Sequence, residues 1–313
     1  MNAAVRVFKA TMATLAMSAV GIAQANPVRW QLNMTPGVTD ISERVQALHN
    51  LAFEVCVVIG IVVFGAMFWS MFFHRKSKGA VAAQFSHNTL AEIIWTVVPI
   101  VILVVLAVPA TDTLFRMYDT SKSEMTVKVT GIQWMWRYEY IGENVEFLSR
   151  LDRLSDRTRA LGSGLDPYAV KVGNENVYLL DVDHPLVVPI DTKIRFVVTS
   201  VDVIHSWWAP QLGWKQDAIP GVINENWTKI KEPGIYRGSC TELCGRDHGF
   251  MPIVVKAVSK AEFRTWLAAE RTAESAAATA AAGPTAAPVA AAVAPAPVAV
   301  VATPATAGNA PAR

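Results

Sequence analysis

Two apolar runs constrain this chain more than any other feature. Leu51 to Phe73 carries one charge, Glu54, and Ile93 to Leu114 carries one, Asp112, close to its end. Each is near the ~20 residues a helix needs to cross ~30 Å of hydrocarbon. Of the 313 residues 52% are hydrophobic and only 17% charged, and a bilayer gives that apolar excess somewhere to go. Between the runs lies HRKSKG, His74 to Gly79, whose Arg75, Lys76 and Lys78 place the loop 74–90 on the cytoplasmic side. The spacing therefore predicts a two-helix transmembrane hairpin over 51–115, with both outer ends across the membrane from that loop.

The N-terminus reads as an export signal. Arg6 and Lys9 precede an apolar run, Ala10 to Ile22, and Ala23-Gln24-Ala25 supplies a small-residue cleavage site. The run is too short to span a bilayer. Residues 1–25 are thus expected to be a signal peptide, and 26–50 a periplasmic N-terminal segment.

Beyond Tyr118 the pattern changes. MTVKVTGIQWMWRYEY alternates apolar and polar residues, and VYLLDVD, LVVPI, KIRFVVTS and MPIVVKAV are short runs rich in Val and Ile. Turn signals at Asp183-His184-Pro185, Pro220-Gly221 and Pro233-Gly234 separate them, which predicts an antiparallel β-sandwich or barrel over 119–272. A helical cap over Lys260 to Arg271 closes it. The polar stretch 143–167, bearing Arg150, Arg153, Arg157 and Arg159, reads as a surface insertion. The tail, 273–313, is almost all Ala, Pro, Val and Thr from Ser275 on and is expected to be disordered. From Asp119 to Arg271 there are 19 Lys and Arg against 20 Asp and Glu, a net charge of −1 that argues against a nucleic-acid binder.

Chemistry concentrates in GSCTELCGRDHGFMP, where Cys240, Cys244, His248 and Met251 fall within twelve residues. In an oxidising compartment two thiols four residues apart can simply pair as a disulfide. The neighbouring imidazole and thioether shift the weight toward a metal. Thiolate, imidazole and thioether together suit copper; zinc, the alternative, rarely takes a thioether. His205, at the end of a strand 35 residues before Cys240, is the candidate second imidazole, although a lone histidine at a strand end is more often a packing residue.

His205 followed by Cys240-x-Glu242-x-Cys244-x3-His248-x2-Met251, with GIQWMWRYEY, AIPGVINENW and AEIIWTVVPIVILVVLAVP, resembles subunit 2 of cytochrome c oxidase over roughly Asn50 to Arg271, insertion excluded. The resemblance implies a cupredoxin-like domain with a binuclear copper A centre. In it Cys240 and Cys244 bridge two copper ions, His205 and His248 are terminal ligands, and Met251 and the Glu242 carbonyl are weak ones. It also implies that the Glu242 side chain ligates Mg or Mn shared with subunit 1, that Trp134 is the electron entry, and that Glu92 lies at the mouth of a proton channel. Trp136 and Tyr138 read as packing residues, and Cys56 as apolar packing within the first membrane helix.

The implied partners are cytochrome c, a haem-containing subunit 1, subunit 3 and the lipid bilayer, with the chain two-pass in a bacterial inner membrane. Asp183, Asp202, Glu139 and Asp181 are the expected docking carboxylates, while Val201 departs from the family, which often has a carboxylate there. The implied function is electron transfer from cytochrome c to haem, for oxygen reduction coupled to proton pumping. Two alternatives stay open: a periplasmic copper carrier or sensor, and a copper-free quinol-oxidase-type structural subunit.

Overall fold

The protein is described by a computed structural model over residues 23–24, 30–172 and 175–282. The predicted signal peptide, apart from Ala23 and Gln24, and the tail from 283 on lie outside the described residues.

Helix α1, Asp40–Phe73, begins eleven residues before the apolar run. A capping box starts it: the Thr39 hydroxyl accepts the Ser42 N–H at 3.0 Å, and the Ser42 hydroxyl accepts the Thr39 N–H at 2.9 Å. At 1.5 Å per residue its 34 residues span about 51 Å, more than the hydrocarbon requires, so the first turns stand clear of the lipid. There they meet the β domain. Val38 donates to the Gln211 carbonyl at 3.1 Å, and Lys231 Nζ pairs with both Asp40 and Glu43. Helix α2, Thr89–Met117, is capped by Asn88, which accepts the Ala91 N–H at 3.1 Å. Along both helices the apolar side chains face outward, including Phe53, Val62 and Trp95.

The strands that follow are β1, Met125–Ile132, β2, Met135–Tyr140, and β3, Val145–Ser149. A six-residue helix α3, Arg153–Thr158, comes next, then β4, Leu186–Pro189, β5, Ile194–Ser200, and β6, His205–Trp208. The last are β7, Lys215–Ala218, β8, Asn224–Thr228, β9, Gly234–Cys240, and β10, Pro252–Val258. Of the two larger sheets, one runs β8-β5-β1-β2-β3 and the other β7-β6-β9-β10-β4, with Ala23–Gln24 alongside β9; Lys171–Val172 and Glu175–Asn176 form a small separate pair.

Alternation sets the faces. In β5, Ile194, Phe196 and Val198 point inward between half-buried neighbours, and Trp136, Tyr138 and Tyr140 do so from β2. Trp207 lies between Phe196 and Trp214, with ring centroids 5.4 and 5.0 Å away, and its indole N–H reaches the Tyr138 hydroxyl at 3.2 Å.

Three expectations change. The sandwich is mixed, because β1 pairs parallel with β5 and β10 parallel with β4. The polar stretch 143–167 is only partly an excursion, since β3 extends the first sheet antiparallel to β2. Helix α4, Lys260–Ala282, runs eleven residues past the predicted cap, into alanine-rich sequence that favours helix more than any other residue does. Its Phe263 and Trp266 pack on Tyr140.

Candidate metal centre

The candidate side chains meet at one end of the sandwich, where β6 begins, β9 ends and β10 begins. His205 is fully buried against Gly131, where a Cβ would lie 2.6 Å from the imidazole Cδ2, so the close approach requires glycine. One imidazole nitrogen, Nδ1, faces Cys240 Sγ at 4.0 Å, and Nε2 meets Asp202 Oδ1 at 2.9 Å. The other Asp202 oxygen accepts the Gln133 N–H at 2.7 Å, and Oδ1 also accepts the Val203 N–H at 2.7 Å. The carboxylate thus fixes the ring's direction.

Cys240 closes the loop: its N–H donates to the Met251 carbonyl at 3.0 Å, and its thiol approaches the Glu242 carbonyl at 3.4 Å. The Cys240 and Cys244 sulfurs are 3.8 Å apart, with no bond between them, and Cys244 Sγ lies 3.5 Å from His248 Nδ1. Both thiols and the Met251 side chain are buried. The ligand atoms of His205, Cys240 and Cys244 all lie within 4.8 Å of one another, a possible metal site.

Electrostatics splits the two thiols. Burial opposes ionisation at Cys240, but hydrogen bonding, first from His205, outweighs it and brings the thiol down to about 7. Burial, reinforced by the neighbouring Cys240 charge, pushes Cys244 up to about 12. Burial also disfavours a charged His205, yet Cys240 and Asp202 on its two nitrogens raise its pKa overall. The thiol facing His205 is thus the readier of the two to ionise, and metal binding would require both as thiolates. Two thiols, flanking imidazoles and a dry thioether fit copper as a donor set.

Trp134, half-buried, donates its indole N–H to the Cys244 carbonyl at 3.1 Å, and the Gln133 amide donates to the same oxygen at 2.8 Å. Gly245 makes room for both: its φ is +119°, and a Cβ would lie 3.1 Å from either side chain. Trp136 and Tyr138 are fully buried. The Glu242 side chain is exposed, and Glu92 sits in the first turn of α2, accepting the Asn88 N–H at 3.2 Å, apart from the cluster.

The four expected docking carboxylates do not form one patch of open charge. Asp202 is committed to His205 and Gln133; Asp181 pairs at 2.8 Å with the buried Arg237; Glu139 pairs at 3.0 Å with Lys128. Asp183 accepts the Arg150 N–H at 2.8 Å and does border Trp134, in a hollow of ≈ 420 Å³. That hollow is also lined by Arg150, Arg153, Arg159, Arg246, Asp156 and Asp247, so its charge is mixed. Sequence reasoning missed Gln133, Gly131, Gly245 and the tie from Asp202 to His205. Only the last left a usable signal, a carboxylate three residues before the histidine.

A two-helix membrane anchor bearing a β-sandwich with a buried Cys/Cys/His centre at its edge defines a membrane-anchored cupredoxin-like protein. The comparisons refine that class. The model of the cytochrome c oxidase subunit II periplasmic domain matches residues 125–258, and that of its transmembrane domain matches 27–112. A probable cytochrome c oxidase subunit 2 of Rickettsia prowazekii is 40% identical over 245 residues, covering 78% of this chain and 74% of the relative. Subunit 2 from Cereibacter sphaeroides is 34% identical over 239 residues, covering 75% and 79%. Among solved structures, the periplasmic domain of subunit II of cytochrome oxidase from Bradyrhizobium japonicum is 37% identical with a TM-score of 0.41, covering 49% of this chain and 97% of that one. The chain belongs to the cytochrome c oxidase subunit 2 family: a two-pass membrane protein with a periplasmic domain, and a subunit of a haem-copper oxidase.

Proposed function

We propose that the chain is the electron-entry subunit of its oxidase, accepting electrons from cytochrome c and delivering them to the haem of subunit 1, where oxygen is reduced to water and protons are pumped. Cys240, Cys244, His205, His248, Met251 and the Glu242 carbonyl would together hold two copper ions. When bound, such a pair supplies one-electron redox chemistry at small reorganisation cost. The chain's own residues provide the rest. Burial of His205, both cysteines and Met251 excludes water, and Asp202 holds the His205 ring in one orientation.

The observation that carries this reading is the indole of Trp134 hydrogen bonded to the carbonyl of Cys244, whose thiol stands 3.8 Å from a second, unpaired thiol. It links a partly exposed aromatic ring to the buried donors through one residue. Asp183 is the docking carboxylate beside that ring. The exposed Glu242 side chain is free to reach a Mg or Mn ion shared with subunit 1, a hard cation suited to carboxylate. Glu92, at the cytoplasmic end of α2, is proposed to serve proton entry. Subunit 3, a bacterial inner membrane and removal of residues 1–25 complete the assignment.

Copper content and electron paramagnetic resonance on the full chain test it. Two coppers per chain sharing one unpaired electron, lost in Cys240→Ser, are expected. One localised copper, or a Cys240–Cys244 disulfide in place of metal, would overturn the proposal.

A further inference from the structure

The family reading leaves the segment between β2 and β4 without a purpose, yet one of its side chains reaches the metal loop. Helix α3 is fixed to the domain: Asp152 caps it through the Leu154 and Ser155 N–H groups, the buried Ser155 hydroxyl accepts the Leu179 N–H at 3.1 Å, and the Asp152 N–H donates to the Asp181 carbonyl at 3.1 Å. Arg159 follows directly. Its Nε pairs with Asp156 at 2.8 Å, while its two terminal nitrogens face the two oxygens of Asp247 at 3.4 and 3.5 Å. The same guanidinium lies over the Phe250 ring, 4.3 Å from its centroid. Both sides of the ion pair are largely shielded, Arg159 being 25% and Asp247 17% exposed.

Asp247 immediately precedes His248, and Phe250 ends the single 3-10 turn that carries it. At its start the loop is held through Cys244, whose carbonyl accepts from Gln133 and Trp134, and the Arg246 guanidinium lies 5.5 Å from the Trp134 ring centroid. Within residues 245–250 the main-chain hydrogen bonds are local, His248 to Gly245 and Phe250 to Asp247, and Gly249 has nothing within 4 Å of its Cβ position. Arg246 is 81% exposed. Among the described residues, Arg159 makes the only hydrogen bonds that join side chains of 245–250 to a distant part of the chain, apart from the thiol contact of His248 itself.

We propose that Arg159 is a positioning residue for the His248 side of the metal centre. Its fork holds the residue before the imidazole while its plane holds the ring two residues after it, so the turn keeps His248 aimed at Cys244. This rests on the reading of His248 as a metal ligand. It also gives the polar segment a role: an arm that braces the metal loop from the neighbouring sheet.

The test uses the full chain with Arg159→Ala, Arg159→Lys and, as a control in the last turn of the preceding helix α3, the exposed Arg157→Ala. Hydrogen exchange at residues 245–250 is read in the copper-free chain, and the rate of copper loss to a chelator in the loaded one. Arg159→Ala should speed loop exchange and raise copper loss roughly tenfold, the scale of a lost partner to a metal ligand. Arg159→Lys should fall between, because an ammonium keeps the charge but neither the fork nor the flat contact. Arg157→Ala should match the unaltered chain. Unchanged exchange and copper loss in Arg159→Ala, or an equal effect from Arg157→Ala, would overturn the proposal. A chain that takes up no copper at all would instead overturn the metal reading beneath it, and the copper-free exchange data separate the two failures.

Discussion

The hairpin and the sandwich are both built from apolar residues, and they use them in opposite ways. In α1 and α2 the large side chains stand outside, Phe53 at 62%, Val62 at 64% and Trp95 at 64% exposure. The buried residues there, Ile41, Ser42 and Thr113, lie in the turns nearest the β domain. In the sandwich Trp136, Tyr138, Phe196 and Trp207 are sealed inside. The hairpin thus has almost no interior of its own and relies on lipid and other subunits as its solvent. The sandwich supplies its own, which is why a centre needing fixed ligands sits on it. A residue in the hairpin answers to hydropathy, and a residue in the sandwich to shape.

The sharpest way to break this comparison is to remove bulk from the sandwich. Trp207→Ala deletes a ring held between Phe196 and Trp214 and should cost about 3–5 kcal/mol, read as a lower thermal midpoint and a smaller chevron stability. Should Trp207→Ala unfold no more readily than a truncation in the hairpin, the distinction fails. Next comes a change that the hairpin cannot absorb. Val62→Lys, at the centre of the apolar run Leu51 to Phe73, should cost about 2.5–3.5 kcal/mol of insertion free energy and lower the membrane-integrated fraction in a translocation assay. Full integration of that variant would show that α1 does not sit in hydrocarbon at that depth.

What was legible in the sequence divides along the same line. Hydropathy alone places the hairpin, because the solvent sets the rule, yet it misses where α1 begins. Its first turns are fixed by Thr39, Asp40 and Glu43 meeting Lys231 and Leu212 on the β domain, contacts between residues far apart in the chain. Alternation finds the strands β1, β2 and β5, but says nothing about pairing direction, so the parallel β1–β5 and β10–β4 pairs were hidden. It passed over β3, an edge strand whose glutamate, Glu146, pairs across the strands with Arg137.

At the candidate centre, four donors share one short loop, and their closeness follows from covalent spacing. His205 needed the fold to reach them. Sequence counts Asp202 and Asp181 as surface charge, whereas the structure directs one to an imidazole and the other to a buried guanidinium. Arg159 is out of reach of any local pattern, since its partner Asp247 lies 88 residues away.

Gly131→Ala tests shape where the sandwich meets the centre. The added methyl would fall 2.6 Å from the His205 ring, which Asp202 and Cys240 hold from either side. Because the ring cannot turn freely, the overpacking should cost about 1–3 kcal/mol, with weaker copper retention. A crystal of the variant should show His205 displaced from Cys240. Wild-type stability and copper retention would mean that the imidazole is held more loosely than its contacts imply.

The smallest effect belongs to Val62→Ala. The same shortening that would open a cavity in the sandwich removes only contacts with the surroundings here, because Val62 is exposed on α1 with no protein core behind it. Loss of two methyl groups leaves the run from Leu51 to Phe73 long and apolar enough to span. The change should stay within about 0.5 kcal/mol, the range of substitutions away from packed interiors, in both insertion and thermal unfolding of the assembled oxidase. A larger loss on assembly with normal insertion would place a partner helix against Val62 and move that face of α1 from the solvent-governed class to the shape-governed one.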